Sequence, residues 1–199
     1  MSTDIRHGPD SRPRCGWVGE DETYRRYHDE EWGYPLHGDR NLFEKLALEG
    51  FQAGLSWITI LRKREAFRAA FANFQPELVA AFGPEDVARL LADTGIVRNR
   101  LKIEATITNA QLMGVLEPGE LESLIWSFAP EQSRRVATLS EVPAVTPAST
   151  ALSVALRARG FRFVGPTTMY ALMQSAGLVD DHLAGCWRAT DSSGRVEPC

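Results

Sequence analysis

Two groups of residues in this 199-residue chain have the types and spacing to do chemistry. The first is the stretch 49–57, Glu-Gly-Phe-Gln-Ala-Gly-Leu-Ser-Trp. It sets an acid at the end of an apolar stripe, then two glycines, then a large aromatic. A plain core helix avoids this mixture, because a buried carboxylate must be paired or protonated and each interior glycine costs about 1 kcal/mol relative to alanine. The stretch therefore reads as the wall of a pocket. The second group is Cys15, His28, His182 and Cys186. Two thiolates and two imidazoles suit a closed tetrahedral zinc site, which leaves no position for water and so is structural. Spacing alone leaves this open. His182 and Cys186 stand at i and i+4, which on a helix turns both side chains one way, yet such a pair is also ordinary on a helix. The separation of Cys15 from His28 is longer than a usual zinc-finger knuckle.

The elements that must position these residues read as helices. Residues 21–32 suit a short helix that Gly33-Tyr34-Pro35 breaks. Asp39 or Asn41 can cap the next one, with Asn41 and Glu44 at capping-box spacing. That helix carries Leu42, Phe43, Leu46 and Ala47 on one stripe, and Glu49, seven residues after Leu42, falls about 20° from the same direction. If the helix reaches residue 49, its acid is buried. Helical patterns follow over 58–71, after Pro76 and Pro84 at favoured first-turn positions, and over 86–93, 96–116, 121–128, 147–159 and 164–177. Residues 129–146 read as mostly loop. No pair of alternating strands and no internal repeat is visible, so the expected class is all-α. A disordered N-terminal extension is expected over 1–13, one domain over 14–187, and a flexible tail over 188–199.

A helix ending at Gly160 and another restarting at Pro166 form a hairpin bounded by Gly160 and Gly165. The free N–H groups at the second helix's start, including that of Thr167, suit a phosphate, and Arg157, Arg159 and Arg162 add local positive charge. The other reading is a plain helical turn with solvated arginines. Across the chain the balance is acidic, with net charge −4 and pI near 5.6, which counts against a broadly basic nucleic-acid binder. The odd cysteine count, three, argues against a disulfide framework. No apolar run approaches the roughly 20 residues of a membrane span, and residues 1–14 lack the apolar core of a secretory signal. A cytoplasmic monomer is the default expectation.

Several runs together resemble 3-methyladenine DNA glycosylase I, a family of helix–hairpin–helix glycosylases. They are Arg14-Cys-Gly-Trp-Val, Tyr27-His-Asp-Glu-Glu-Trp-Gly, Leu48-Glu-Gly-Phe-Gln-Ala-Gly-Leu-Ser-Trp, Thr94-Gly-Ile-Val-Arg, Trp126-Ser-Phe, Gly160-Phe-Arg-Phe-Val-Gly and Leu178-Val-Asp-Asp-His. The resemblance covers about residues 14–187. It implies a two-lobed helical bundle and one structural zinc on Cys15, His28, His182 and Cys186, joining the N- and C-terminal segments. It implies a base pocket of Glu49, Tyr27, Trp57, Trp17 and Trp32, with Glu49 and Tyr27 closest to the chemistry. A hairpin grip on the DNA backbone would fall to Gly160, Arg162, Gly165 and Thr167. The implied substrate is double-stranded alkylated DNA, and the product is free 3-methyladenine. No lysine stands out as a nucleophile in these runs, so hydrolysis without strand cleavage is expected. Asp180 and Asp181 lie where related glycosylases carry an aspartate, but beside His182 a supporting role on a zinc ligand fits as well. Tyr24, His37 and Trp126 read as core or surface residues. The competing class is a non-catalytic module that senses damaged DNA through the hairpin. A catalytic metal centre is disfavoured, since four protein ligands leave no site for water.

Overall fold

Short-range helical periodicity accounts for most of the architecture in the computed structural model, which describes residues 4–131 and 136–189. The helices are α1 (Glu22–Glu30), α2 (Asp39–Gln52), α3 (Trp57–Ala70), α4 (Pro76–Ala80), α5 (Pro84–Ala92), α6 (Arg100–Met113), α7 (Glu120–Trp126), α8 (Pro147–Ala158) and α9 (Pro166–Ser175). Pro76, Pro84, Pro147 and Pro166 each open a helix, where the missing N–H costs nothing. Asp21 caps α1 by accepting from Tyr24 N at 2.9 Å. Asn99 caps α6 in the same way through Lys102 N, so that helix starts later than the apolar pattern suggested. Among the described residues no helix is long and apolar enough to cross a membrane.

The chain folds into two compact units. The first collects Met1–Pro35, Ala129–Ala144 and Met173–Cys199, and the second collects Leu36–Phe128 and Val145–Leu172. The second unit is built around a stack of phenylalanines. Phe71 lies parallel to Phe74 with ring centroids 5.5 Å apart, and Phe51 meets Phe67 at 4.6 Å. Leu42, Phe43, Leu46, Ile60, Leu90 and Ile103 are fully buried in the same unit. In the first unit Cys15, Val136, Leu183 and Cys186 form a small core covered by Ile5, Trp17 and Trp187.

Three expectations are corrected. Residues 1–13 are not without structure where they are described: β1 (Ile5–His7) pairs antiparallel with β2 (Pro13–Cys15), Ile5 opposite Cys15. Strands of this length show no readable alternation, and contacts distant in sequence hold them. Arg14 grips Asp10 at 2.7 Å and Asp29 at 2.6 Å, Asp4 accepts from Leu139 N at 2.8 Å, and Pro13 O accepts from Trp187 N at 2.8 Å. Arg188 and Ala189, expected in a flexible tail, are instead buried, with the Arg188 guanidinium 4.0 Å from the Tyr34 ring centroid. The remainder of that tail, 190–199, lies outside the described residues, as do residues 1–3. Finally, neither Asp39 nor Asn41 caps α2, whose N-cap is Gly38. Asp39 accepts from Gly119 N at 2.7 Å and Glu122 N at 2.8 Å and so caps α7. Glu122 returns the contact by accepting from Gly38 N at 2.7 Å. The two helix starts cap each other, which sequence spacing within either one cannot reveal.

Candidate functional site

The cysteine and histidine side chains converge in the first unit. One donor atom each from Cys15, His28 and Cys186 lies within 4.8 Å of the others, and all three residues are buried, a group able to hold a metal ion. Cys15 comes from the end of β2 and His28 from the last turn of α1. Cys186 follows in a turn closed by Cys186 N donating to Leu183 O at 2.7 Å. The i, i+4 argument for His182 and Cys186 was therefore wrong in its geometry. Residues 180–189 are not helical, and it is this turn that brings the thiol to His28 Nε2 at 3.4 Å.

His182 is buried beside this group, its ring centroid 4.9 Å from that of His28. Each imidazole is oriented by a carboxylate. His28 Nδ1 donates to Asp29 at 2.8 Å and His182 Nδ1 to Asp180 at 2.9 Å. A carboxylate only accepts, so both rings carry their proton on Nδ1 and leave a lone pair on Nε2. The Nε2 atom of His182 is buried with no hydrogen-bond partner. A buried polar atom left bare is costly; His182 itself stands outside the group of Cys15, His28 and Cys186 whose donor atoms all lie within 4.8 Å of one another. The sulfurs are electrically unequal. Hydrogen bonding from Cys15 overcomes burial and holds the Cys186 thiol well below its usual range, while the same contact and burial push Cys15 up. Burial raises the Asp29 carboxyl, but hydrogen bonds from Arg14 and His28 outweigh it and hold Asp29 below the ordinary carboxylate range.

Trp17 and Trp32 wrap this cluster. Trp32 meets His182 edge-on at 4.6 Å, and Trp17 meets His28 at 5.3 Å and Trp32 at 5.1 Å. Gly33 sits at φ +81°, and a Cβ there would come within 2.7 Å of His182 Cε1. Glycine is thus required for the chain to pass over that imidazole. Tyr27 is buried on α1, one residue before His28, and Tyr24, half-buried, packs edge-on against Trp17.

The second unit carries the other predicted residues. α2 continues through residue 49, and Glu49 is 3% exposed, as its place on the apolar stripe required. Trp57 opens α3 and is buried, with the Lys45 ammonium 5.3 Å from its ring centroid, so its face already attracts a cation. α8 stops in a Schellman turn, Phe161 N donating to Leu156 O at 3.1 Å and Gly160 N to Arg157 O at 2.9 Å, with Gly160 at φ +91°. α9 restarts at Pro166. Gly160, Arg162 and Thr167 are exposed, as are Arg157 and Arg159, and Gly165 is half-buried. Buried side chains fix the connection from beneath. Asn109 binds the backbone of Arg162 at both N (2.8 Å) and O (3.1 Å), and Ser153 donates to Val164 O at 2.6 Å. Of the residues with bland readings, His37 stacks on Trp126 at 4.9 Å.

Sequence reading missed Asp29, Lys45, Lys102 and Asn109. Asp29 was recoverable, since an aspartate follows His28 directly and metal-binding imidazoles need an acceptor. The lysines and Asn109 carry no such signal, because ordinary surface helices contain both types.

The chain matches the family model described as methyladenine glycosylase over residues 17–189. It is 52% identical to DNA-3-methyladenine glycosylase 1 of Escherichia coli over 87% of this chain and 95% of that one. A crystal structure of 3-methyladenine DNA glycosylase I superposes with a TM-score of 0.83 at 49% identity, covering 87% of this chain and 98% of that one. A tyrosine-to-phenylalanine variant of 3-methyladenine DNA glycosylase I in complex with 3-methyladenine gives a TM-score of 0.79 at 37% identity, covering 87% and 95%. These likenesses extend over nearly the whole of each relative and set the chain among the DNA glycosylases. It belongs to the methyladenine glycosylase family.

Proposed function

We propose that the protein hydrolyses the N-glycosidic bond of 3-methyladenine in alkylated double-stranded DNA, releasing the free base and leaving an abasic site. The observation that carries this reading is Glu49, an acid buried to 3% exposure on an apolar helix face. A non-catalytic DNA-binding module has no use for such a group, whereas a pocket for a cationic base does. Methylation at N3 makes adenine positively charged. An anionic, aromatic pocket then favours the damaged base by charge attraction and cation–π contact, and neutral adenine gains neither.

In this proposal the nucleotide is extruded from the duplex at a cost of a few kcal/mol. Trp57, Trp17 and Trp32 supply stacking surface, and Glu49 and Tyr27 hydrogen-bond the base edge. Gly160, Arg162, Gly165 and Thr167 hold backbone phosphates as a helix–hairpin–helix grip, for which the exposed arginines of the α8–α9 connection speak. Chemistry needs little help. Water oxygen bonds to the sugar C1′, the C1′–N9 bond breaks, its electron pair neutralises the departing base, and the water's surplus proton passes to solvent. No covalent enzyme intermediate forms, so strand cleavage is not expected. A DNA substrate and free buried thiols both fit a cytoplasmic location.

The metal of the proposal is a structural zinc held by Cys15, His28, Cys186 and His182. Its support is the donor set together with the bare, oriented Nε2 of His182. It would supply no reaction step and would lock the turn around Cys186 to α1. Asp180 then acts through the ligand His182, and Asp180→Asn is expected to weaken zinc affinity about 10- to 100-fold. A competition titration with a chromophoric chelator measures this, and unchanged affinity would remove Asp180 from the site.

The function itself is tested by incubating the protein with methylated duplex and assaying the released bases. Release of 3-methyladenine is expected. Tight duplex binding with no released base would return the reading to a damage sensor.

A further inference from the structure

The helix that carries Glu49 ends in an unusual way. The last carbonyls of any α-helix lack intrahelical donors, and α8 satisfies its own by the Schellman turn at Gly160. α2 is followed by a tighter turn, in which Leu55 N donates to Gln52 O at 2.6 Å, Gly54 sits at φ +84° and the C-cap Ala53 at φ −47° and ψ 114°. On either side of that bond the Lys102 ammonium, from α6, donates to Phe51 O at 2.7 Å and to Ala53 O at 2.6 Å. Lys102 is only 8% exposed, and burial lowers its pKa. Both contacts require its protons, and they are short, as charge-assisted hydrogen bonds are. A lysine is thus buried against its own desolvation cost to fix one turn. That turn, 53–56, joins the helix that carries Glu49 to the helix that Trp57 opens.

The same face of α6 reaches further. Asn109 follows Lys102 by seven residues, about 20° from it around the helix, and holds both backbone polar groups of Arg162 in the α8–α9 connection. Phe163 of that connection approaches Gly50, where an added Cβ would lie 3.3 Å from the Phe163 Cβ. The space among Gly50, Phe51, Lys102, Thr106, Asn109 and Phe163 is a cavity of about 10 Å³, too small for any ligand. The region is a packed joint and not a second pocket.

We infer that Lys102 is a positioning residue for base recognition, setting the turn between the helices of Glu49 and Trp57 by capping the C-terminus of α2, while Asn109 on the same helix face separately sets the DNA-gripping connection. This inference rests on the proposed roles of Glu49 and Trp57. Lys102 touches neither base nor sugar in it and acts only through the carbonyls of Phe51 and Ala53.

The test uses the full, metal-loaded chain and compares the wild type with Lys102→Met, Lys102→Arg and Asn109→Leu. Four quantities are measured: excision rate under single-turnover conditions, affinity for free 3-methyladenine by tryptophan fluorescence, affinity for undamaged duplex, and melting temperature. Losing two charge-assisted hydrogen bonds predicts a drop in excision rate and free-base affinity on the order of 10- to 100-fold for Lys102→Met, with duplex affinity within about twofold. Lys102→Arg keeps the charge and donors and is expected to recover most of the base affinity. Asn109→Leu is expected to reverse the pattern, weakening duplex binding and sparing free-base binding. If Lys102→Met does not fold, Lys102→Gln, which keeps donors without charge, must show the same selective loss. Base affinity at the wild-type level in a folded, uncharged variant would overturn the inference. So would losses of base and duplex affinity that vanish once corrected for the folded fraction. A wild type that releases no base would instead bring down the glycosylase reading, and the inference with it.

Discussion

Glu49→Gln is expected to reduce excision of 3-methyladenine on the order of 100-fold while leaving affinity for undamaged duplex within about twofold. The substitution keeps shape and hydrogen-bonding capacity and removes only the charge. At 3% exposure, little water screens that charge. A hydrogen bond to a charged group is worth about 1.5–3 kcal/mol, roughly 10- to 150-fold, and here both partners are ionised, which favours the upper end. The attraction is selective because only the alkylated base is a cation, so a pocket with a glutamine loses its preference for 3-methyladenine over adenine. In the proposed reading, binding to undamaged duplex depends on phosphates and the exposed arginines of the α8–α9 connection and has no reason to change. Single-turnover excision on methylated duplex and a binding isotherm on undamaged duplex measure the two effects. Equal losses in both would make Glu49 a structural residue and move base selection to the tryptophans.

That Glu49 is buried was legible from the sequence alone, because a residue seven positions after Leu42 on a continuous helix returns to the same side, and α2 is continuous through residue 52. Most helix limits were legible for a similar reason: prolines at first turns and apolar periodicity are local signals. The features that were not legible share one trait, which is that their partners are far away in the chain. The β1–β2 pair depends on Asp29, Leu139 and Trp187. Asp39 looks like the cap of its own helix, but its carboxylate reaches the start of α7, some eighty positions on. Lys102 reads as a surface residue until the carbonyls of Phe51 and Ala53 are placed against it. Cys186 shows a different case: helical spacing suggested that it reaches one ion together with His182, whereas a turn through Leu183 brings its thiol to His28 Nε2 at 3.4 Å, and His182 stands outside that donor group.

Removing the metal is expected to lower the melting temperature by roughly 10 °C and to lower activity only as the folded fraction falls. A ligand that binds only the native state contributes about 4 kcal/mol at a thousandfold excess over its dissociation constant, and at this chain length each kcal/mol moves the midpoint by about 2–4 °C. In the first unit the ion would add to the ion pairs of Arg14 with Asp10 and Asp29. The small core of that unit, Cys15, Val136, Leu183 and Cys186, contains both proposed sulfur ligands, and Cys15, His28 and Cys186 come from β2, α1 and the turn beyond α9, segments brought together only by folding. Without the ion, the bare Nε2 of His182 remains buried, and opening to water gives it a hydrogen-bond partner. Cys186→Ser should act in the same direction, because an alcohol is a poor zinc ligand at neutral pH. Elemental analysis of the purified, folded protein gives the stoichiometry, expected at one zinc per chain. A melting curve with and without chelator gives the shift. The two roles for the ion part company below the transition. A structural zinc leaves folded, metal-depleted protein active in proportion to its folded fraction, whereas a catalytic ion abolishes excision while the melting curve still reports native protein. Activity lost ahead of structure would overturn the structural assignment, and a stoichiometry near zero in active protein would overturn the zinc.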